Sequence, residues 1–293
     1  MFRAKYIVYG LFWSLAVILT ACTPRSVREA ETVVAEADSV WRGGQMYGIE
    51  YGDSATLAEA YHRLDRVQAI FPDEFAHSCY HYGRLLRKKD NPVEAMQAFL
   101  AATHSRTRDY HILGRVYSNM GSICHLAGEY ELSYDMFEKS AETFLKDGDT
   151  LSYYYAMNDM AFELADMVDT SACLSLLSRI EDIPELNYWT WRTKADMYLK
   201  AKNYPSAIYY ANCIISLGYY ETEDILIKAQ AFTALNYKDS AIIYAHKVLS
   251  DSCTSYKNRF NALYIVSHCD SSLSSESILE LTSQREDIRY YEY

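Results

Sequence analysis

The sequence predicts an all-α protein, a solenoid of about six helical hairpins preceded by an irregular helix pair. Three observations predict it. Small residues recur in pairs twelve apart: Gly83 with Ala95, Gly121 with Ser133, Ala161 with Cys173, Ala195 with Ala207, Ala229 with Ala241, and Ala262 with Ser274. Successive pairs are spaced by 38, 40, 34, 34 and 33 residues. Turn-forming residues lie between the members of a pair, in "DNP" at Asp90, "AGE" at Ala127, "KNYP" at Lys202 and "NYKD" at Asn236.

Each observation has a physical reason. Two antiparallel helices packed about 8–10 Å apart need small side chains where they cross. Gly, Asn, Asp and Pro punctuate helices, so a turn belongs between the two small residues. With the small pair at positions 8 and 20 of a repeat, positions 24 and 27 hold Phe99 and Ala102, Phe137 and Ser140, Leu177 and Ile180, Ala211 and Ile214, Ala245 and Val248, then Ile278 and Leu281. Position 11 is apolar or aromatic: Leu86, Cys124, Leu164, Tyr198, Phe232 and Ile265. It fills the space between neighbouring hairpins.

This pattern resembles the tetratricopeptide repeat (TPR), a helix-turn-helix unit of 34 residues. The fourth repeat matches best, with Trp191, Tyr198 and Ala207. The resemblance implies a right-handed solenoid over residues 73–293 and a ligand groove lined by positions 2, 5, 9 and 12 of each first helix. The 38- and 40-residue spacings predict extended helices or loops around "KDGDTLSYYY". Residues 29–72 form the irregular opening pair, with helices over 29–47 and 54–70, the second ending before Pro72. The C-terminal "ILELTSQREDIRYYEY" continues the last helix, with charges suited to a polar end and three tyrosines beside them.

The N-terminus carries a different signal. Arg3 and Lys5 precede an apolar run from Ile7 to Leu19, and the run closes on "LTAC". Charge, apolar run and small residues are the parts of a secretory signal peptide. The run is shorter than the ~20 residues of a spanning helix. "LTAC" resembles the lipobox of bacterial lipoproteins. The resemblance implies a signal peptide over 1–21, a lipid thioether on Cys22, and a tether over 22–28. Thr23 stands where an aspartate would mark inner-membrane retention. The expected place is the cell envelope, lipid-anchored, in the outer membrane, facing the periplasm or the surface.

Composition narrows the function. Without residues 1–21, 26 basic side chains face 39 acidic ones, a net charge of −13. Such a body is unsuited to nucleic acid. The six further cysteines are widely scattered with no CxxC pair, so zinc-binding and redox motifs are not indicated; they read as free, small core residues. His77 and His81 lie four apart, but no HExxH accompanies them, and no metal or other cofactor is expected. No phosphate loop or nucleophile motif is present, and the chain reads as a non-enzyme.

The repeat register selects candidate groove residues: His77, Tyr80, Arg84 and Arg87 in repeat one, Arg115 and His125 in repeat two, Tyr155 and Asn158 in repeat three, Trp189 and Arg192 in repeat four. This set is basic and aromatic in an acidic protein. The family's carboxylate clamp uses Lys, Arg and Asn; here Arg84, Arg87, Arg115 and Asn158 resemble it in part, without the lysines. The reading is a membrane-anchored scaffold for a protein or peptide bearing an acidic or C-terminal carboxylate group. The alternatives are a carbohydrate-binding envelope lipoprotein with a SusD-like role, or the sensor module of a regulatory system. Arginines converging in the groove indicate a peptide; a flat platform of exposed Trp or Tyr rings indicates a glycan.

Overall fold

The structure is a computed structural model that describes Thr32, residues 54–66 and residues 68–270. The expected signal peptide, Cys22, the expected tether, all but Thr32 of the expected 29–47 helix, the expected second helix of repeat six and the C-terminal tyrosines lie outside the described residues. Among the described residues there are twelve α-helices and no strand. They are α1 (Ser54–Asp65), α2 (Pro72–Lys88), α3 (Pro92–His104), α4 (Tyr110–Leu126), α5 (Tyr130–Asp147) and α6 (Thr150–Asp166). After these come α7 (Thr170–Leu177), α8 (Asn187–Lys200), α9 (Tyr204–Ser216), α10 (Thr222–Ala234), α11 (Lys238–Ser250) and α12 (Tyr256–Cys269). A 3-10 turn at Pro184–Leu186 precedes α8. Repeats one to five are the pairs α2/α3, α4/α5, α6/α7, α8/α9 and α10/α11, and α12 opens repeat six. The chain divides into two compact bodies, one ending at Asn119 and the other beginning at Met120.

One turn is repeated five times. Position 15 adopts a left-handed backbone in every described hairpin: Asp90, Gly128, Val168, Lys202 and Asn236, with φ between 55° and 80°. The next amide then reaches back to the position 11 carbonyl. Asn91, Glu129, Asp169, Asn203 and Tyr237 donate to Leu86, Cys124, Leu164, Tyr198 and Phe232 at 2.8–3.0 Å. This is a Schellman closure, which satisfies carbonyls orphaned at the helix end. The second helix starts at once, and in repeats three and four the Asp169 and Asn203 side chains accept its amides from Ala172 and Ser206.

Val168 is the misfit in this series. A β-branched side chain in the left-handed region is strained, at about 1–2 kcal/mol. Its side chain is exposed, so packing does not repay the strain. Val168→Gly, the residue used at Gly128, is expected to stabilise by about 0.5–1 kcal/mol after the glycine entropy cost. A thermal melt that falls instead of rising contradicts this account of the turn.

The small pair also has a specific partner. A Cβ built on Gly83 would lie 2.5 Å from the Phe99 ring, and one on Gly121 would lie 3.0 Å from Phe137. In repeats three to five, position 24 is the smaller Leu177, Ala211 or Ala245, and position 8 is alanine. Positions 8 and 24 are therefore complementary in volume: glycine faces phenylalanine, and alanine faces leucine or alanine. In repeat two the Ser133 hydroxyl also donates to the Gly121 carbonyl at 2.9 Å across the hairpin.

Two element boundaries differ from the sequence expectation. The second helix of the expected opening pair, α1, ends at Asp65 rather than at residue 70. Proline disfavours helix at the residue before it, so Phe71 is non-helical (φ −125°, ψ 65°), and Pro72 takes the first position of α2. Helix α1 packs on α2 through Tyr61, stacked on Phe75 and Tyr82 at ring distances of 6.0 and 4.9 Å. The 40-residue spacing comes from helix, not loop: α5 runs 18 residues and only Gly148 and Asp149 link it to α6. The 38-residue spacing lies partly in the link before α4. There Asp73 accepts from the Thr107 hydroxyl at 2.5 Å and the Arg108 amide at 3.1 Å.

Six cysteines are free in the described residues, and Cys79, Cys124, Cys173 and Cys269 are buried. Burial pushes the Cys173 thiol up to about 12, so it stays a neutral core side chain. Among the described residues, no helix is long and apolar enough to cross a membrane.

Candidate functional site

In the N-terminal body the candidates lie on α2 and α4. Tyr80 is buried, and two exposed arginines meet over its ring. The Arg84 and Arg115 guanidinium carbons stand 5.4 and 5.8 Å from its centroid. A ring face attracts cations by its quadrupole, so Tyr80 gathers two like charges that would otherwise separate. Arg87 donates to the Asn119 side-chain oxygen at 2.5 Å, and Asn119 in turn donates to the Arg115 carbonyl at 2.8 Å. His77 shares a 2.8 Å hydrogen bond with Asp109, whose other oxygen caps the Ile112 amide. The bonds from the Ile112 amide and His77 hold the Asp109 carboxyl below its ordinary range, against the effect of burial. His81 does not join His77. It is buried, and desolvation pulls its pKa down to about 4. This face therefore presents two arginines over one aromatic ring, with Arg87 tied to Asn119 on the same two helices.

The C-terminal body places its candidates differently. Asn158 is buried and accepts from the Thr193 hydroxyl at 3.2 Å, so it joins two helices rather than facing a ligand. Arg192 is committed internally. It donates to Glu221 at 2.5 Å and to the Tyr188 hydroxyl at 2.9 Å, and its Nε lies 3.7 Å from the fully buried Asp224. Tyr155 is half-buried and Trp189 is exposed. The Trp189 and Tyr188 rings meet at 86°, an edge-to-face pair and not a flat platform.

His125 opens onto a cluster that sequence reasoning missed. Its Nδ1 lies 3.1 Å from Glu163 and 3.5 Å from Asp166, both on α6. Glu163 is buried. Lys200 of α8 pairs with both Asp166 and Asp196, and its ammonium lies 5.3 Å from the Phe162 ring. The hydrogen bond to Glu163 raises the His125 pKa, against the effect of burial. On the same helix, Asp159 is pushed up to about 7 by burial and then by the Glu163 charge. The signal was present in the sequence. Glu163 and Asp166 are three apart on one helix, at positions 10 and 13, and His125 holds position 12 of the preceding repeat. Groove positions alone did not bring them together.

No protein-family model matches the chain, and no curated protein matches it in sequence. Solved structures do resemble it. A tetratricopeptide repeat protein from Parabacteroides merdae ATCC 43184 superimposes with a TM-score of 0.60 at 14% identity, over 87% of this chain and 98% of its own. The Pseudomonas aeruginosa protein pilF superimposes with a TM-score of 0.51 at 14% identity, over 79% of this chain and 96% of its own. The likeness shows the fold: this is an all-α, TPR-type architecture of helical hairpins.

Proposed function

We propose that this chain is a lipid-anchored envelope scaffold whose N-terminal body holds a protein or peptide by an acidic group. The observation that carries the reading is the convergence of Arg84 and Arg115 on Tyr80, with Arg87 braced beside them. Planar guanidinium forks pair with carboxylates in bidentate fashion. The aromatic ring adds apolar grip below them. TPR-type hairpins supply extended binding surfaces, and the chain acts without catalysing a reaction. Asn158 and Arg192, given to internal bonds, are not part of the contact. The edge-to-face pairing of Trp189 supports the peptide reading over the glycan one.

The anchor is Cys22, bearing lipid at the outer membrane. Two or more acyl chains hold a protein stably, at about 0.8 kcal/mol per buried methylene. Cys22→Ala is expected to abolish palmitate labelling and release the protein from the membrane fraction. Persistent labelling would sink the lipoprotein reading. For the binding face, the test is affinity capture from the cell's own envelope extract. Arg84→Glu with Arg115→Glu should lose the captured partner while helicity by circular dichroism is unchanged. Equal capture by a folded variant removes the arginine face from the account.

A further inference from the structure

We propose that His125, Glu163 and Asp166 form a binding site for a divalent transition cation of the Zn²⁺ type. One ligand atom from each residue lies within 4.8 Å of the other two. Metal bonds of about 2.0–2.2 Å set neighbouring donor atoms roughly 3–4 Å apart. The His125 to Glu163 and His125 to Asp166 separations of 3.1 and 3.5 Å are already in that range.

A second observation points to a ligand. Asp166 is about nine-tenths buried, with a side-chain exposure of 11%. Its Oδ1 accepts from Lys200, but its Oδ2 is buried without any hydrogen bond. A buried carboxylate oxygen left unbonded is costly. This oxygen faces His125 and Glu163, where a cation would satisfy it.

The surroundings complete the site. Lys200 holds the outer oxygen of Asp166, the kind of supporting contact that orients a metal ligand. It leaves the inner oxygen for the ion. With His125 as a neutral imidazole ligand, the three carboxylates Glu163, Asp166 and Asp196 outnumber the single Lys200, so a divalent cation is electrostatically suited. One imidazole with two carboxylates fits zinc or manganese better than the all-oxygen preference of calcium or magnesium. His125 is 31% exposed and marks the entry, which leaves a coordination position for water. The site is formed within the C-terminal body and is independent of the partner and anchor readings.

The test is calorimetric titration of ZnCl₂ into the full chain, stripped of metal with EDTA, in a Cys253→Ser background that removes the exposed thiol of the described residues. One equivalent should bind, and zinc should raise the melting temperature. His125→Ala and Asp166→Asn should each weaken binding at least tenfold, whereas His77→Ala, in the other body, should not. Because these variants border a buried cluster, Co²⁺ substitution in the unmutated background gives a second readout. A cobalt spectrum without thiolate charge transfer supports imidazole and carboxylate ligation. Absence of saturable binding, unchanged affinity in both folded variants, or a thiolate charge-transfer band would overturn the proposal.

Discussion

Arg192→Ala is expected to cost about 3 kcal/mol of stability, because it strands a buried carboxylate. Asp224 is fully buried, accepts from the Tyr188 hydroxyl at 3.1 Å and from the Glu221 amide at 2.8 Å, and has Arg192 as its cationic neighbour. The contact with Glu221 contributes little, since Glu221 is exposed and water screens the pair. The Asp224 contact therefore dominates. Burial already raises the Asp224 pKa, and loss of Arg192 raises it further. An acid whose folded pKa is raised gives stability below its unfolded pKa and loses it as pH rises through the folded value. The deficit of Arg192→Ala should therefore be smaller near pH 4 than at pH 8. Adding Asp224→Asn should recover part of the loss at pH 8. Chemical denaturation of the four proteins at both pH values measures the cycle. A deficit that is independent of pH, with no recovery in the double variant, removes the buried carboxylate as its cause.

Gly83→Ala carries the next largest effect. Helix propensity alone favours alanine by about 1 kcal/mol. The new methyl would sit 2.5 Å from the Phe99 ring, and Phe99 is itself fully buried among α2 and α3. Overpacking of this kind costs about 1–3 kcal/mol and outweighs the propensity gain. The sign is diagnostic: a buried Gly-to-Ala change in a helix that destabilises means a real collision. Gly83→Ala with Phe99→Leu reproduces the Ala161 and Leu177 pairing of repeat three and should recover most of the loss. Gly121→Ala should cost less, because its contact with Phe137 is looser at 3.0 Å. A stabilised Gly83→Ala would contradict the complementarity of positions 8 and 24.

Much of the fold was legible because it is repetitive. The position 8 and 20 pairs located five complete hairpins, and the left-handed residue sits at one place in all five. Where local chemistry departs from the pattern, reading was harder. "MVD" at Val168 lacks any turn-forming residue before Asp169, yet the chain makes the same turn there with strain. The end of α1 was missed because the helical pattern of the sequence runs on past Asp65, and Pro72 accounts only for the non-helical Phe71. The site was half legible. Register selected Tyr80, Arg84, Arg87 and Arg115; Arg84 and Arg115 meet at the Tyr80 ring, and Arg87 bonds Asn119. It also selected Asn158 and Arg192, which meet Thr193, Glu221 and Asp224 instead. Register reports which way a position points, but not what arrives from the neighbouring helix. The same limit concealed the Glu163 and Asp166 partners of His125.

The central claim is that the arginine face of the N-terminal body binds a carboxylate-bearing segment. It is tested most directly by fluorescence anisotropy of a labelled acidic peptide with a free C-terminal carboxylate, taken from the captured partner. The intact protein should bind it in a salt-sensitive manner. The Arg84→Glu, Arg115→Glu variant should bind at least about tenfold more weakly, a loss of roughly 1.4 kcal/mol or more. Equal affinity in the two folded proteins would contradict the account.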